Sequence, residues 1–176
     1  MLPISSLSYT LNATLPQKYV SCRMQGIATT TGGIMTALQQ NFQNLNVTIG
    51  RILLGIYFIL PGINKITNFD GNSSYMAEHG MVMIPFFLVL TIILQVGGGF
   101  AMVAGFQTKL IAFLLAGLTL VISMVMHDFW TMEPSVQTSH ETQNFVKNLA
   151  IMAGLMVAAG LGGGPWSVDK KLANRN

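Results

Sequence analysis

The run from Gly50 to Lys65 constrains this chain more than any other. It is apolar from Ile52 to Ile63, yet a cation stands at each end, Arg51 and Lys65, fourteen positions apart. On a helix, two heptads bring a side chain back to nearly the same face. At ~1.5 Å per residue the two charges then stand roughly 20 Å apart along the axis, somewhat less than a hydrocarbon core of ~30 Å. A helix at a protein–water boundary spreads its charges over a broad polar face. This stretch has almost no polar face, so it reads as a membrane helix with a cation near each boundary.

The rest of the chain repeats that pattern. Of 176 residues 51% are hydrophobic and 9% charged, against about 25% charged in soluble domains. Lipid in place of water around most of the exterior explains the deficit. The net charge of +3 is small and its residues scattered, which argues against nucleic-acid binding. Cys22 is the only cysteine, so an intramolecular disulfide and a Cys-X-X-Cys redox pair are both excluded. No Walker motif or Gly-X-Ser-X-Gly elbow occurs, and Gly97-Gly98-Gly99 lies inside an apolar run where it cannot cradle a phosphate.

Hydropathy predicts four spans, at about 47–66, 82–106, 110–126 and 145–161. Polar loops at 67–80 and 131–144 join them, with the short turn Gln107-Thr108-Lys109 between the second and third. Pro85 falls in a first helical turn, where proline is tolerated. Small residues at four-residue spacing (Gly97, Ala101, Gly105; Ala112, Ala116; Ala150, Gly154, Ala158) predict close helix contacts. The expected fold is all-α: an integral membrane four-helix bundle with a polar, poorly structured N-terminal segment. Residues 1–44 form that segment, 45–170 the four-helix domain and 171–176 a tail. Met1, Met24 and Met35 are alternative starts.

Four spans place both termini on one side. Lys18, Arg23, Arg51, Lys109, Lys170, Lys171 and Arg175 fall there, with only Asp169 against them. The positive-inside rule makes that side cytoplasmic.

Six residues are candidate ligand contacts. Lys65, His127 and Lys147 each end a different span on the opposite side and, with Asp128 and Trp130, form a candidate polar cup for an anionic head group, a carboxylate or a quinone carbonyl. The plain alternative is interfacial anchoring. Gln95 lies mid-span and Asn148 one turn into the fourth span. Each is either hydrogen-bonding glue between helices or part of a pocket. Arg51 and Asp169, at one level on the other side, are a candidate structural ion pair. No catalytic or metal site is expected from the three histidines, which lack ligand spacing.

Taken in order, these residues resemble the DoxX family of small bacterial membrane proteins. Gly50-Arg51 opens span one, and Pro61-Gly62 with Lys65 closes it. Gln95-Val-Gly-Gly98 follows in span two, then Gly105 with Lys109 at the turn. His127-Asp-Phe-Trp130 ends span three, Phe145-Val-Lys147-Asn148 opens span four, and Trp166-Ser-Val-Asp169 follows the Gly-rich run. The resemblance covers roughly residues 47–170. One departure is Gln95, where the family often carries Glu.

The resemblance implies a multi-pass protein of the bacterial inner membrane with no intrinsic cofactor, a quinone or bound lipid being the implied ligand. It implies membrane lipid and a larger membrane or redox complex as partners. The expected role is an accessory subunit of a redox or detoxification assembly, contributing to a quinone or lipid site, rather than a free-standing enzyme. The alternative is a stand-alone transporter or carrier of a small anionic or lipid-like ligand.

Overall fold

The structure is a computed structural model. It describes residues 17–175, with side chains from Thr36 onward. The chain divides into two compact units, Met1–Gln43 and Asn44–Asn176, and everything bearing on function below lies in the second.

In chain order the helices are α1 (Gln17–Thr67), α2 (Phe69–Glu78) and α3 (Ile84–Ile92), then a π-helical turn (Ile93–Gly97) that continues directly into α4 (Gly98–Ala104). They are followed by α5 (Thr108–Met126), a 3₁₀ turn (Phe129–Thr131), α6 (Val136–Leu161) and α7 (Val168–Ala173). Among the described residues four helical runs are long and apolar enough to cross a membrane: Thr36–Thr67, Ile84–Ala104, Thr108–Thr131 and Val136–Leu161. No strand occurs among the described residues. The protein is an all-α membrane bundle.

The second and third spans follow the apolar pattern closely, and Pro85 does sit in the first turn of α3. Three boundaries differ from it. The helical backbone of α1 begins at Gln17, well before the apolar run, while residues 1–16 lie outside those described. The expected loop 67–80 is mostly the helix α2. The expected loop 131–144 is helical from Val136, where the Ser135 hydroxyl caps α6 by accepting from the Thr138 amide at 3.1 Å. Both segments are polar, so hydropathy passes over them although their backbone is regular.

The core is small: Phe58, Met102, Ala112, Leu115, Ala116 and Leu155. Ala112 and Ala116 pack as their spacing predicts. The stripe expected in the second span is displaced. A side chain at Gly97 would meet nothing, whereas one at Gly99 would run into the carbonyl oxygen of Gly55, 2.8 Å from its Cβ position. The adjacent glycines 98 and 99 are the buried ones. The first and second spans therefore meet backbone to backbone at Gly55 and Gly99.

Candidate functional site: an intramembrane cavity

The two ends of the bundle are built differently. At the end where the second span turns into the third, α4 stops in a Schellman motif. Gly105 adopts φ 72°, its amide donates to Met102 O, and the Phe106 amide donates to Ala101 O. Arg51 is buried here. Its Nη1 donates to Met102 O at 2.8 Å and Val103 O at 2.9 Å, and its Nη2 to Trp166 O at 3.3 Å. A guanidinium on the last carbonyls of a helix is a cation at the negative end of its dipole.

Asp169 does the converse. Its carboxylate accepts from the amides of Gln107 at 2.7 Å and Thr108 at 2.9 Å, at the positive end of α5. Partial burial pushes this carboxyl up, but those two amides, the Thr108 side chain and the charge of Arg51 outweigh it and hold it below its usual range. The expected Arg51–Asp169 ion pair is not formed as a direct contact: among the described residues the only direct contact between an acidic and a basic side chain is that of Glu141 with the imidazole of His127. The turn between α4 and α5 lies between the two side chains, and each satisfies that backbone instead of the other. They reach the same joint, as expected, and tie it from opposite sides.

At the other end a cavity of about 660 Å³ opens between the spans. That falls within the ~300–1,000 Å³ of small-molecule sites. Its α5 wall extends from Phe113 to His127, roughly 20 Å at ~1.5 Å per residue. Five of the six candidate ligand residues line it: Lys65, Gln95, His127, Lys147 and Asn148. Trp130 does not. It is 51% exposed and makes edge-to-face contacts with Phe129 and Phe145, an aromatic cluster beside the mouth.

Gln95 sits in the π turn and is 4% exposed. Its Oε1 has no hydrogen-bond partner. Mid-helix π turns disrupt the regular ladder and recur at functional sites. Asn148, which lines the same cavity, is also buried. Lys65 is half-buried on the wall. Lys147 is more exposed and donates to Asn144 Oδ1 at 2.8 Å.

Sequence reasoning missed Glu141. It is 7% exposed. One carboxylate oxygen accepts from His127 Nδ1 at 2.7 Å and the other from Gln137 Nε2 at 2.6 Å. A carboxylate in that position requires the hydrogen on Nδ1, leaving Nε2 as the remaining polar atom of His127. The available signal was spacing: Glu141 and Asn148 are seven apart, hence on one helical face. Nearby, Tyr75 donates to Met126 O at 3.2 Å. Its phenol is pushed up by burial, and further by the carboxylates of Glu141, Asp128 and Glu78.

The comparisons with known proteins agree with this architecture. The DoxX sequence pattern matches residues 46–128. The chain is 34% identical to the inner membrane protein YqjF of Escherichia coli K12 over 134 residues, 76% of this chain and 96% of that protein. It belongs to the DoxX family. A second relative, the inner membrane protein YphA of the same organism, is 30% identical over 123 residues, 70% of this chain and 87% of that one. No solved structure matches. With four membrane-crossing helices and inner-membrane relatives, this DoxX protein is a multi-pass protein of the bacterial inner membrane.

Proposed function

We propose that this DoxX protein is an accessory subunit of an inner-membrane redox or detoxification assembly and holds a lipophilic ligand, a quinone or a lipid, in the cavity between its spans. The observation that carries the ligand site is Gln95. An amide buried in the apolar part of a membrane helix, with its carbonyl oxygen unpartnered, costs free energy until a hydrogen-bond donor, such as the hydroxyl of a reduced quinone or of a lipid, completes it, and here it stands at a π turn on a cavity wall. The lining is otherwise mostly apolar, with Lys65, His127 and Lys147 at one end, which suits a molecule with a polar head and an apolar body. The redox setting rests on the family resemblance alone.

The test is to extract the protein in mild detergent with its native lipids and analyse what accompanies it by mass spectrometry. A quinone or lipid retained by the wild type, lost in Gln95→Met, and accompanied by a stoichiometric redox partner supports the reading. A retained ligand with no partner moves the chain to the alternative, a stand-alone carrier. No retained ligand overturns the site.

The Lys/Arg asymmetry supports an orientation with both termini in the cytoplasm and the cavity mouth outside. In a Cys22→Ser background, Asn72→Cys should be labelled in intact cells by an impermeant maleimide, and Leu172→Cys only after the membrane is opened. The reverse pattern would invert the orientation.

A further inference from the structure

The charged groups at the cavity are unevenly partnered. Three residues that can carry positive charge line it, Lys65, His127 and Lys147, and no Asp or Glu does. Lys65 makes no hydrogen bond and no ion pair with any described residue, although it is half-buried. Lys147 has a neutral partner, the Asn144 carbonyl oxygen. The carboxylates close by are engaged elsewhere. Glu141 is taken by His127 and Gln137, and Asp128 accepts from the Thr131 hydroxyl. Glu78 lies exposed on α2. Below the cations the wall is apolar: Phe58, Leu88, Leu94 and Leu118 among others.

A half-buried ammonium on a low-dielectric wall is costly unless an opposite charge joins it. Apolar walls also strengthen any attraction between that ammonium and an incoming anion. We infer that the cavity takes an amphiphile with an anionic head, seated between Lys65 and Lys147 at the mouth, its chain lying along the apolar wall. His127, held through Nδ1 by Glu141, lines the same cavity. This deepens the ligand-site reading by naming the charge of the ligand. A neutral quinone would fill the cavity but leave both ammonium groups without a counter-ion.

The experiment is equilibrium binding to the full chain in phosphatidylcholine nanodiscs, with radiolabelled oleate and its neutral counterpart oleyl alcohol. Oleate should bind at least about ten-fold more tightly than the alcohol. Lys65→Gln and Lys147→Gln should each weaken oleate by about five- to ten-fold and leave the alcohol unchanged, with the thermal melt verifying that both variants are folded. Displacement of oleate by phosphatidylglycerol would assign the site to an anionic lipid head group. No displacement would assign it to a free acid, and either outcome supports the anionic head. Equal binding of acid and alcohol, or unchanged oleate affinity in the double variant, overturns it while leaving a neutral-ligand site standing. If neither probe binds, nor a short-chain quinone, the ligand-site reading fails with it.

Discussion

His127 and Glu141 lie fourteen residues apart, on either side of the connection between α5 and α6, and share a hydrogen bond of 2.7 Å. With Gln137 on the other carboxylate oxygen, Glu141 locks the end of the third span to the start of the fourth. Each of its oxygens has one donor, so neither donor can lose it cheaply.

Glu141→Leu should therefore leave His127 Nδ1 and Gln137 Nε2 without an acceptor, at about 1–3 kcal/mol for each group that stays buried. The detergent melting temperature should fall clearly. Glu141→Gln keeps an acceptor for one of them and should fall by less. Equal melting temperatures for wild type and Glu141→Leu would mean that the pair is held by its surroundings and contributes nothing.

The contact between Gly55 and Gly99 makes a prediction with an internal control. A Cβ on Gly55 would stand 2.7 Å from Gly99 O, and one on Gly99 would stand 2.8 Å from Gly55 O. Backbone cannot move aside as a side chain can. Gly55→Ala and Gly99→Ala should each destabilise by about 1–3 kcal/mol, the usual cost of overpacking. Gly97→Ala, two residues away and facing open space, should be neutral or slightly stabilising through helix propensity. A drop at Gly97 matching that at Gly99 would show that the helices do not cross there.

Those glycines also show what could and could not be read from sequence. Spans two and three were legible because apolar runs bounded by Pro85, Gly105 and His127 leave little choice. The contacting face of span two was not. A four-residue stripe marks one face of a helix, and only the packing shows that the neighbouring face, with Gly98 and Gly99, is the buried one. The cavity's wall residues were legible one by one, since a Gln in mid-span or a Lys at a span end stands out against lipid. Glu141 was not, because it lies in a polar stretch that hydropathy cannot tell from a loop. Arg51 and Asp169 were placed at the right level but given each other as partners. Composition shows complementary charges, but only the fold shows that helix ends lie closer to them.

That joint is pH-sensitive through Asp169. The folded protein holds its carboxyl below the ordinary value, so ionisation favours the folded state. The contribution is fully present above the unfolded value of ~3.9 and is lost as pH falls through the lower folded one. Asp169→Asn should melt below wild type at pH 7, and the gap should close as pH drops below about 4. A gap of constant size across that range would show that the amides of Gln107 and Thr108 hold the protonated acid as well as the carboxylate.

Gln95 separates structure from function most sharply. A polar residue kept in a membrane helix for packing has its hydrogen bonds made by neighbouring helices, and removing it loosens the bundle. The Gln95 carbonyl oxygen makes none, so the bundle gains nothing from it when the cavity is empty. Gln95→Met conserves length and rough volume while removing the buried amide. In lipid-depleted detergent its melting temperature should equal or exceed that of wild type, because an orphaned buried polar group costs about 1–3 kcal/mol. With a ligand that donates a hydrogen bond to Gln95 the order should reverse: wild type is stabilised more by what it binds than the variant is, the difference growing with ligand concentration as linkage requires. A variant that melts lower than wild type in the absence of ligand would make Gln95 a structural tie between helices and remove the mid-membrane contact from the site.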